Sequence, residues 1–297
     1  MNHILSEDRT ALAKRASLLR LSAITLAEGM RSGSFKSLYR GQGIEFSGVR
    51  EYLRDDDVRA IDWNVTARMG RPYVKLFEEE RELNVFLVVD ESLSMNTVSG
   101  YRTRLETAME CASLLSLASL QNESPVGAVM FNGNITFSCA PKAGSDQVFM
   151  LLTRFDECET EQVKGSALDT ALVGADKMLH KRTLILIISD FRTSQWEQPF
   201  AHLCHKHDVV AIRISDPVDE QIPELGSVPF VDTETGYRAV LPTSSARFKH
   251  VWYAHNNKHL ETWRDECLRR GGIPLVVRTD SDPAVELTKF FTAWEHK

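Results

Sequence analysis

The sequence has no apolar run long enough to cross a membrane. Charged residues interrupt the first apolar stretch, 11–30, and the run 111–122 is well short of the roughly 18 to 20 residues that a span requires. The first twenty residues also carry charges where a signal peptide would need an apolar segment. We therefore expect a cytoplasmic protein that does not insert into a membrane directly. Its recruitment to the inner membrane would occur through partners.

The chain also lacks a net positive charge and a paired set of cysteines. Its 35 Lys and Arg residues are outnumbered by 41 Asp and Glu, which argues against a protein that coats nucleic acid. Five cysteines leave an odd one over and show no close pairing, so reduced thiols in the cytosol are the simplest account. With 297 residues, 43% of them hydrophobic, the chain can bury a substantial core.

Apolar runs alternate with segments of helical spacing along the chain. Strands separated by helices predict an α/β fold with a mostly parallel central sheet and helices on both faces. An N-terminal helix and a charged, irregular arm over 1–78 should precede this α/β domain over 79–297. The predicted strands are 73–77, 83–89, 126–131, 135–138, 184–188, 209–214 and 273–277, with a further hairpin within 228–240. The predicted helices are 11–30, 103–121, 146–155, 166–179, 244–270 and 283–295, and residues 31–60 are predicted to be irregular.

One carboxylate and two hydroxyls stand where a buried strand should end. The apolar run that begins at Leu83 breaks into Asp90, Ser92 and Ser94, a D-x-S-x-S set. Ligands of open α/β sheets bind beyond the carboxyl ends of the strands, so these side chains should point toward one small volume. Oxygen ligands suit Mg²⁺, which keeps several waters in an octahedral shell. The alternative is a strand end whose side chains cap a turn or the next helix.

Two further segments add oxygen ligands. The run TLILIISD ends in Asp190, and the segment KGSALDTAL is a Gly-Ser turn that opens a helix with Ser166. Thr170 is a competing hydroxyl in the same helix start. We call the full set the candidate metal site; its members are Asp90, Ser92, Ser94, Ser166 and Asp190.

The candidate metal site resembles the metal-ion-dependent adhesion site of von Willebrand factor A domains. There an Asp and two serines come from the first loop, a Thr from the second and an Asp from the third, so Ser166 stands in the place of the Thr. The resemblance implies a von Willebrand factor A-like, Rossmann-like sheet. It also implies that Ser92, Ser94 and Ser166 contact Mg²⁺, Mn²⁺ or Ca²⁺, whereas Asp90 and Asp190 hold the cation through water.

A narrower resemblance lies upstream of the first apolar strand. The segments EFSGVREY, IDWNVTAR and EEER are similar to the signature of the bacterial family known as domain of unknown function 58, from about residue 35 onward. Asp55 departs from the Gly-Asp-Asp turn expected there. The resemblance implies a MoxR-type AAA+ ATPase as partner, a client protein that offers a carboxylate to the metal, and a role as adaptor or chaperone-like factor in complex assembly or envelope stress.

The segment 40–82 interleaves arginines and aromatic residues with acidic residues. The acidic residues leave no uniformly positive stripe for phosphates, so we do not expect nucleic acid as a partner. Two interpretations remain, a network of ion pairs that braces the arm and a protein-docking surface. The docking candidates are Arg50, Arg54, Arg59, Trp63 and Arg68.

An enzyme is the alternative function. In a phosphohydrolase of the haloacid-dehalogenase type, Asp90 would be the nucleophile and Mg²⁺ the cofactor. That chemistry needs a second Asp two positions later as general acid, and Ser92 occupies this position. We therefore expect a binding protein without catalytic activity.

Histidines occur in two places where zinc would be a tempting assignment. One group lies where a helix should end and the predicted strand 209–214 begins: His202, Cys204, His205 and His207. The helix dipole favours histidine at such a place, whereas zinc sites usually recruit ligands from two separated places. His255 and His259 lie one turn apart on a long helix. We interpret both groups as structural or solvated.

Overall fold

The computed structural model describes residues 23–24, 26–28, 30, 43–53, 56–80, 83–96, 102–157, 163–231 and 237–293. Most of the predicted N-terminal helix, and Arg54 and Asp55 of the arm, lie outside the described residues. The described residues of 23–30 are helical, and four of them, Ala23, Leu26, Ala27 and Met30, are buried. Among the described helices, none combines the length and apolar character that a membrane span needs.

Strands and helices alternate along the described chain. The strands are β1 Gly43–Glu51, β2 Tyr73–Glu80, β3 Asn84–Asp90, β4 Val126–Phe131, β5 Ile135–Lys142, β6 Thr183–Ser189, β7 Asp208–Ser215, β8 Ser227–Val231, β9 Arg238–Pro242 and β10 Ile273–Arg278. The helices are α1 Trp63–Met69, α2 Arg104–Gln121, α3 Ser145–Asp156, α4 Leu168–Met178, α5 Glu197–Lys206, α6 Pro217–Glu220, α7 Ala246–Arg269 and α8 Pro283–Ala293. Two 3₁₀ turns cover Val58–Ala60 and Leu93–Asn96.

Six strands form the central sheet, in the order β10-β7-β6-β3-β4-β5. The first five are parallel, and β5 runs antiparallel to β4 at the edge. The chain fills one half of the sheet from β3 to β5 and the other half from β6 to β10, so the strand order reverses between β3 and β6. Ligands of doubly wound sheets bind at this switch point, beyond the carboxyl ends of the strands. The predicted α/β fold class is confirmed.

Two hydrophobic cores cover the two faces of the sheet. Alternate residues of β3 divide between them: Val85, Leu87 and Val89 pack with α2, α3 and α8, whereas Phe86 and Val88 pack with α4, α5 and α7. Since both faces are buried, the inner strands are uninterrupted apolar runs rather than an alternation of apolar and polar residues. This is why the strand ends, where the first polar residues appear, could be located from the sequence.

The start of α2 is fixed after the first candidate loop, the segment at the end of β3 that carries Asp90, Ser92 and Ser94. Thr103 accepts a hydrogen bond from the backbone N–H of Glu106 at 2.9 Å, and the Glu106 carboxylate accepts one from the Thr103 N–H at 2.7 Å. This reciprocal pair is a capping box, which satisfies two N–H groups that the first helical turn leaves unpaired.

The prediction that residues 31–60 are irregular is wrong for the described part of this segment. β1 pairs antiparallel with β2, and the pairing register shifts between Phe46 and Gly48. The glycines of this segment favour an irregular chain, but Gly48 lies at this bulge, where a strand accommodates an extra residue without ending. The predicted domain boundary at residue 78 falls inside β2. Two predicted hairpins are confirmed, β4–β5 and β8–β9.

Candidate metal site

Asp90 lies at the switch point and joins the two halves of the sheet. It is the last residue of β3 and is 1% exposed. One carboxylate oxygen accepts a hydrogen bond from the Ser92 N–H at 2.9 Å, and the other accepts one from Ser189 Oγ at 2.6 Å. Ser189 is the last residue of β6. The carboxylate is therefore held in one orientation.

The electrostatics of Asp90 favour a cation. Burial, followed by the negative charge of Asp190, raises the pKa of Asp90 to about 7, against the opposing effect of the hydrogen bonds from Ser189 and Ser92. Two buried carboxylates close together disfavour each other's charged forms. A divalent cation between them would remove this repulsion.

Ser92 and Ser94 bring their hydroxyls together on a single turn. The 3₁₀ turn Leu93–Asn96 starts after Ser92, whose carbonyl accepts a hydrogen bond from the Met95 N–H at 3.0 Å. The two Oγ atoms are 3.1 Å apart. Adjacent ligands of an octahedral Mg²⁺ with bonds of 2.0–2.1 Å are about 2.9 Å apart. The spacing of the two hydroxyls therefore fits two neighbouring positions of one coordination shell.

Ser166 is positioned by the end of β4. The Ala167 N–H donates to the carbonyl of Asn132 at 2.6 Å, and Asn132 directly follows β4. Gly165 precedes Ser166 with a φ of +93°, a backbone conformation that glycine adopts without strain. Because β4 is the neighbour of β3, these contacts bring Ser166 to the same edge of the sheet as Asp90.

Two oxygens of the candidate metal site have no hydrogen-bond partner among the described residues. They are Ser166 Oγ and Asp190 Oδ2, both buried. The other Asp190 oxygen accepts a hydrogen bond from the Arg192 N–H at 3.1 Å. A buried polar atom without a partner costs about 1–3 kcal/mol. Both atoms belong to the set that the sequence predicts as cation ligands, so the residues fit a hard divalent cation.

Thr170, the competing hydroxyl, lies on α4. Its side chain is exposed, and its Oγ1 donates to the Asp169 carboxylate at 3.3 Å. The geometry therefore favours Ser166. The described residues contain no group of three or more His, Cys, Asp or Glu side chains that could hold a metal. The histidines at the end of α5 and on α7 therefore belong to no such group.

Sequence reasoning missed a network that links the first candidate loop to the third candidate loop, the segment after β6 that carries Asp190. Arg104 donates to both oxygens of Asp219 at 2.9 Å and to the Ser94 carbonyl at 3.3 Å. Arg192 donates to Asp219 at 2.5 Å, and its Nε lies 3.9 Å from Asp190 Oδ2. We call Arg104, Arg192 and Asp219 the Asp219 latch. No spacing in the sequence indicated it, since Arg104 and Asp219 are 115 positions apart.

The arm shows both features that the sequence left open. Arg50 donates to the Asp56 carboxylate at 2.7 Å, so part of the arm is ion-paired. Arg59, Trp63 and Arg68 are exposed, with the Trp63 side chain 68% accessible. The docking role of these residues stays a prediction.

Comparison with known proteins gives relatives over nearly the whole chain. Uncharacterized proteins of Mycobacterium bovis and Mycobacterium tuberculosis are each 28% identical over 289 residues, which are 95% of this chain and 90% of theirs. An aerotolerance-related membrane protein from Bacteroides fragilis has a similar structure, with a TM-score of 0.43, 16% identity and coverage of 71% of this chain and 97% of that one. A von Willebrand factor type A protein from Catenulispora acidiphila also has a TM-score of 0.43, with 14% identity over 76% of this chain and 45% of that one.

A family model extends across the arm, the candidate metal site and most of the α/β domain. It matches residues 48–262 and is described as protein of unknown function DUF58. The match covers well over half of the chain, and it contains the segments IDWNVTAR and EEER, and EFSGVREY from Gly48 onward. The chain belongs to the DUF58 family.

Proposed function

We propose that this protein is a metal-dependent protein-interaction module. The candidate metal site binds one divalent cation, Mg²⁺ or, in its place, Mn²⁺ or Ca²⁺. A carboxylate of a partner protein completes the coordination shell, and no covalent bond is made or broken. When bound, the cation supplies an electrophilic centre that attracts this carboxylate. The chain's own residues hold the cation and set the direction from which the partner approaches.

The observation that carries the proposal is a pair of buried oxygens, on Ser166 and Asp190, that have no hydrogen-bond partner among the described residues. They lie on two different connections, each at the carboxyl edge of the sheet, where a doubly wound fold binds its ligands. Ser92 and Ser94 contribute two more hydroxyls at the spacing of neighbouring ligands. Hydroxyls and water-mediated carboxylates put little charge in the first shell, so binding should be weak, with a Kd of about 10⁻⁵ to 10⁻³ M.

The proposal includes a partner. A MoxR-type AAA+ ATPase and a client protein form the proposed complex, in which this chain is the adaptor. The exposed arm residues Arg59, Trp63 and Arg68 would supply a second contact that does not depend on the cation. The support for this contact is their exposure and the matched family signature, which includes them.

A phosphohydrolase is not proposed, because Ser92 occupies the position where that chemistry needs an acid. Its hydroxyl lies beside Ser94 Oγ rather than beside a second carboxylate. Purified protein with Mg²⁺ should therefore release no phosphate from phosphate esters. A rate that disappears in Asp90→Asn would contradict this.

The direct test is a titration with Mn²⁺, followed by electron paramagnetic resonance of the free ion. Wild type should bind one ion, and Ser166→Ala should weaken binding about tenfold or more through loss of one ligand. Thr170→Ala is the matched control, since it removes a hydroxyl from the same helix start and should leave the affinity unchanged. Equal affinity of wild type and Ser166→Ala would overturn the assignment of Ser166. Absence of any bound ion in wild type would overturn the proposed function.

A further inference from the structure

A row of polar side chains crosses the carboxyl edge of the sheet beside the candidate metal site. Asp90 receives the hydrogen bond from Ser189, and Ser189 is the register partner of Arg213 in β7. Alternation along each strand puts all three residues on the face that α4, α5 and α7 cover. Arg213 is thus the third member of a row that begins at Asp90, within an otherwise apolar strand.

The Arg213 side chain is buried without an anionic partner. Arg213 is 9% exposed, and its guanidinium forms no hydrogen bond or ion pair with any residue in the described ranges. The guanidinium makes a cation–π contact with Trp263, whose ring centroid lies 5.5 Å from the guanidinium carbon. An arginine carries five N–H donors and no acceptor. Little water reaches this charge and no carboxylate pairs with it, so its N–H donors remain available to an anionic ligand.

A second unpartnered donor lies at the same place. Trp263 Nε1 is buried and has no hydrogen-bond acceptor within the described part of the chain. The indole is fixed by Phe191, whose ring centroid is 5.4 Å away, and Phe191 directly follows the proposed ligand Asp190. Phe191 has a φ of +52°, which a bulky side chain rarely adopts. The segment that carries Asp190 therefore also positions the indole of Trp263, which lies beside Arg213.

The neighbouring charges do not replace the missing anion. Burial lowers the pKa of Arg213, and the charge of Arg192 lowers it further, while the charges of Asp190 and Asp219 raise it. Neither acid forms an ion pair with Arg213: Asp219 is engaged by Arg104 and Arg192, and Asp190 lies beside Arg192. These two acids also disfavour a ligand with a double negative charge. A singly charged carboxylate suits the location better than a phosphate.

We propose that Arg213 and the indole N–H of Trp263 form a carboxylate-binding subsite next to the candidate metal site. The subsite receives a second acidic side chain of the partner protein, beside the carboxylate that completes the metal shell. The planar guanidinium can donate two parallel hydrogen bonds to one carboxylate, which would add direction as well as affinity. The identity of the ligand as a partner side chain rests on the proposed function, whereas the existence of the subsite does not.

The test uses wild-type protein with ¹⁵N-labelled arginine and acetate as the probe. The Nε–H resonance of Arg213, assigned by its loss in Arg213→Lys, should shift saturably with acetate, relative to sodium chloride at equal ionic strength. The resonance of Arg182 is the matched control, since its guanidinium is exposed and already paired with Asp208. No saturable shift of the Arg213 resonance would overturn the proposal, and the titration itself is carried out on wild type.

Variants then define the chemistry of the subsite. Acetate should raise the Tm of wild type, and Arg213→Met should weaken acetate binding about tenfold or more, through loss of charge-assisted hydrogen bonds. Inorganic phosphate is the second probe. Tighter binding of phosphate than of acetate at Arg213 would overturn the assignment to a carboxylate.

The two proposals fail in different ways. If wild type binds Mn²⁺ but acetate leaves the Arg213 resonance unchanged, the subsite is wrong and the metal site stands. If wild type binds no Mn²⁺ but Arg213 binds acetate, the subsite stands and the metal-dependent function is wrong. Acetate binding at Arg213 should persist in Asp90→Asn.

Discussion

Asp90 carries three interactions that meet at one point of the sheet. Its carboxylate orders the first candidate loop through the Ser92 N–H and connects to β6 through Ser189, and its charge repels that of Asp190. These contacts hold the carboxylate while burial disfavours its charge. We therefore expect the protonation of Asp90 to link the stability of the protein to pH and to metal.

The first prediction concerns this pH dependence. The pKa of Asp90 is raised from its ordinary value of 3.8 to about 7, so the folded protein without metal binds a proton that the unfolded chain has released. The protonated Asp90 therefore contributes fully to the free energy of unfolding below about pH 4. This contribution is lost as the pH rises from about 4 to about 7. Because the cation binds the deprotonated form, the rise in Tm caused by Mg²⁺ should increase between pH 5 and pH 8.

Thermal unfolding with and without Mg²⁺ across this pH range measures both effects. Asp90→Asn keeps the size of the side chain and should abolish the effect of Mg²⁺ and flatten the pH dependence. Asp208→Asn, an acid in an exposed ion pair, should retain both. An unchanged Mg²⁺ effect in Asp90→Asn would contradict the role given to this carboxylate.

At the scale of single elements, the Asp219 latch holds the first and third candidate loops together. Asp219 belongs to α6, whereas Arg104 begins α2 and Arg192 follows β6. Arg104 is 2% exposed, so removing its carboxylate partner leaves a buried charge. Loss of one partner of a buried ion pair destabilises a protein by about 3–5 kcal/mol.

We predict that Asp219→Ala lowers the free energy of unfolding by about this amount, roughly 3 kcal/mol or more, and weakens Mn²⁺ binding. Asp208→Ala is the matched control, because it removes the partner of the exposed Arg182 and should cost about 1 kcal/mol or less. Urea unfolding measures both variants. Equal losses in the two would show that the latch is an ordinary surface pair.

The turn between β4 and β5 sets the position of Ser166. A Cβ added to Gly133 would collide with the backbone carbonyl of Lys164, two residues before Ser166. Gly174, within α4, has open space at the corresponding place. Gly133→Ala should therefore displace the Ser166 segment and weaken Mn²⁺ binding. Gly174→Ala should leave binding unchanged and stabilise α4 by up to about 1 kcal/mol. Equal Mn²⁺ affinity of the two variants would contradict this account.

The sequence was most informative where a local pattern determined the structure. Asp90 and Asp190 were found because each follows an apolar run, and such runs become strands buried on both faces. β1 was missed because a bulge at Gly48 resembles a break in the chain. The contact between Arg104 and Asp219 depends on the packing of distant elements, which no local pattern encodes. Arg213 did leave a signal, since a single arginine inside the apolar strand β7 is unusual.

At the scale of the whole molecule, the strand order explains why the five predicted ligands belong together. The order reverses between β3 and β6, so the segments after these strands diverge to opposite sides and leave a crevice at their carboxyl ends. Asp90 and Asp190 come from the two strands that flank it, and Ser166 enters from the connection before β6. Uninterrupted apolar runs predict the inner strands, but only the order of the strands in the sheet places the site at the crevice.

The arm and the candidate metal site should contribute to partner binding by different physical means. A contact through Arg59 and Arg68 is electrostatic, so it weakens as salt screens the charges. A contact through the cation requires the metal. Charge reversal in Arg59→Glu should therefore reduce association and its salt dependence while Mn²⁺ binding remains. Arg182→Glu, on an exposed arginine outside the arm, is the control. Loss of Mn²⁺ binding in Arg59→Glu would contradict the separation of the two contacts.

Association with a MoxR-type ATPase from the same organism, measured by pull-down in Mg²⁺ and in EDTA, tests the central claim most directly. Wild type should lose most of the bound ATPase or client in EDTA and regain it when Mg²⁺ is restored. The double variant Ser92→Ala with Ser94→Ala should bind little under either condition. Full occupancy of the partner in EDTA would contradict a metal-dependent interaction and assign recognition to the arm.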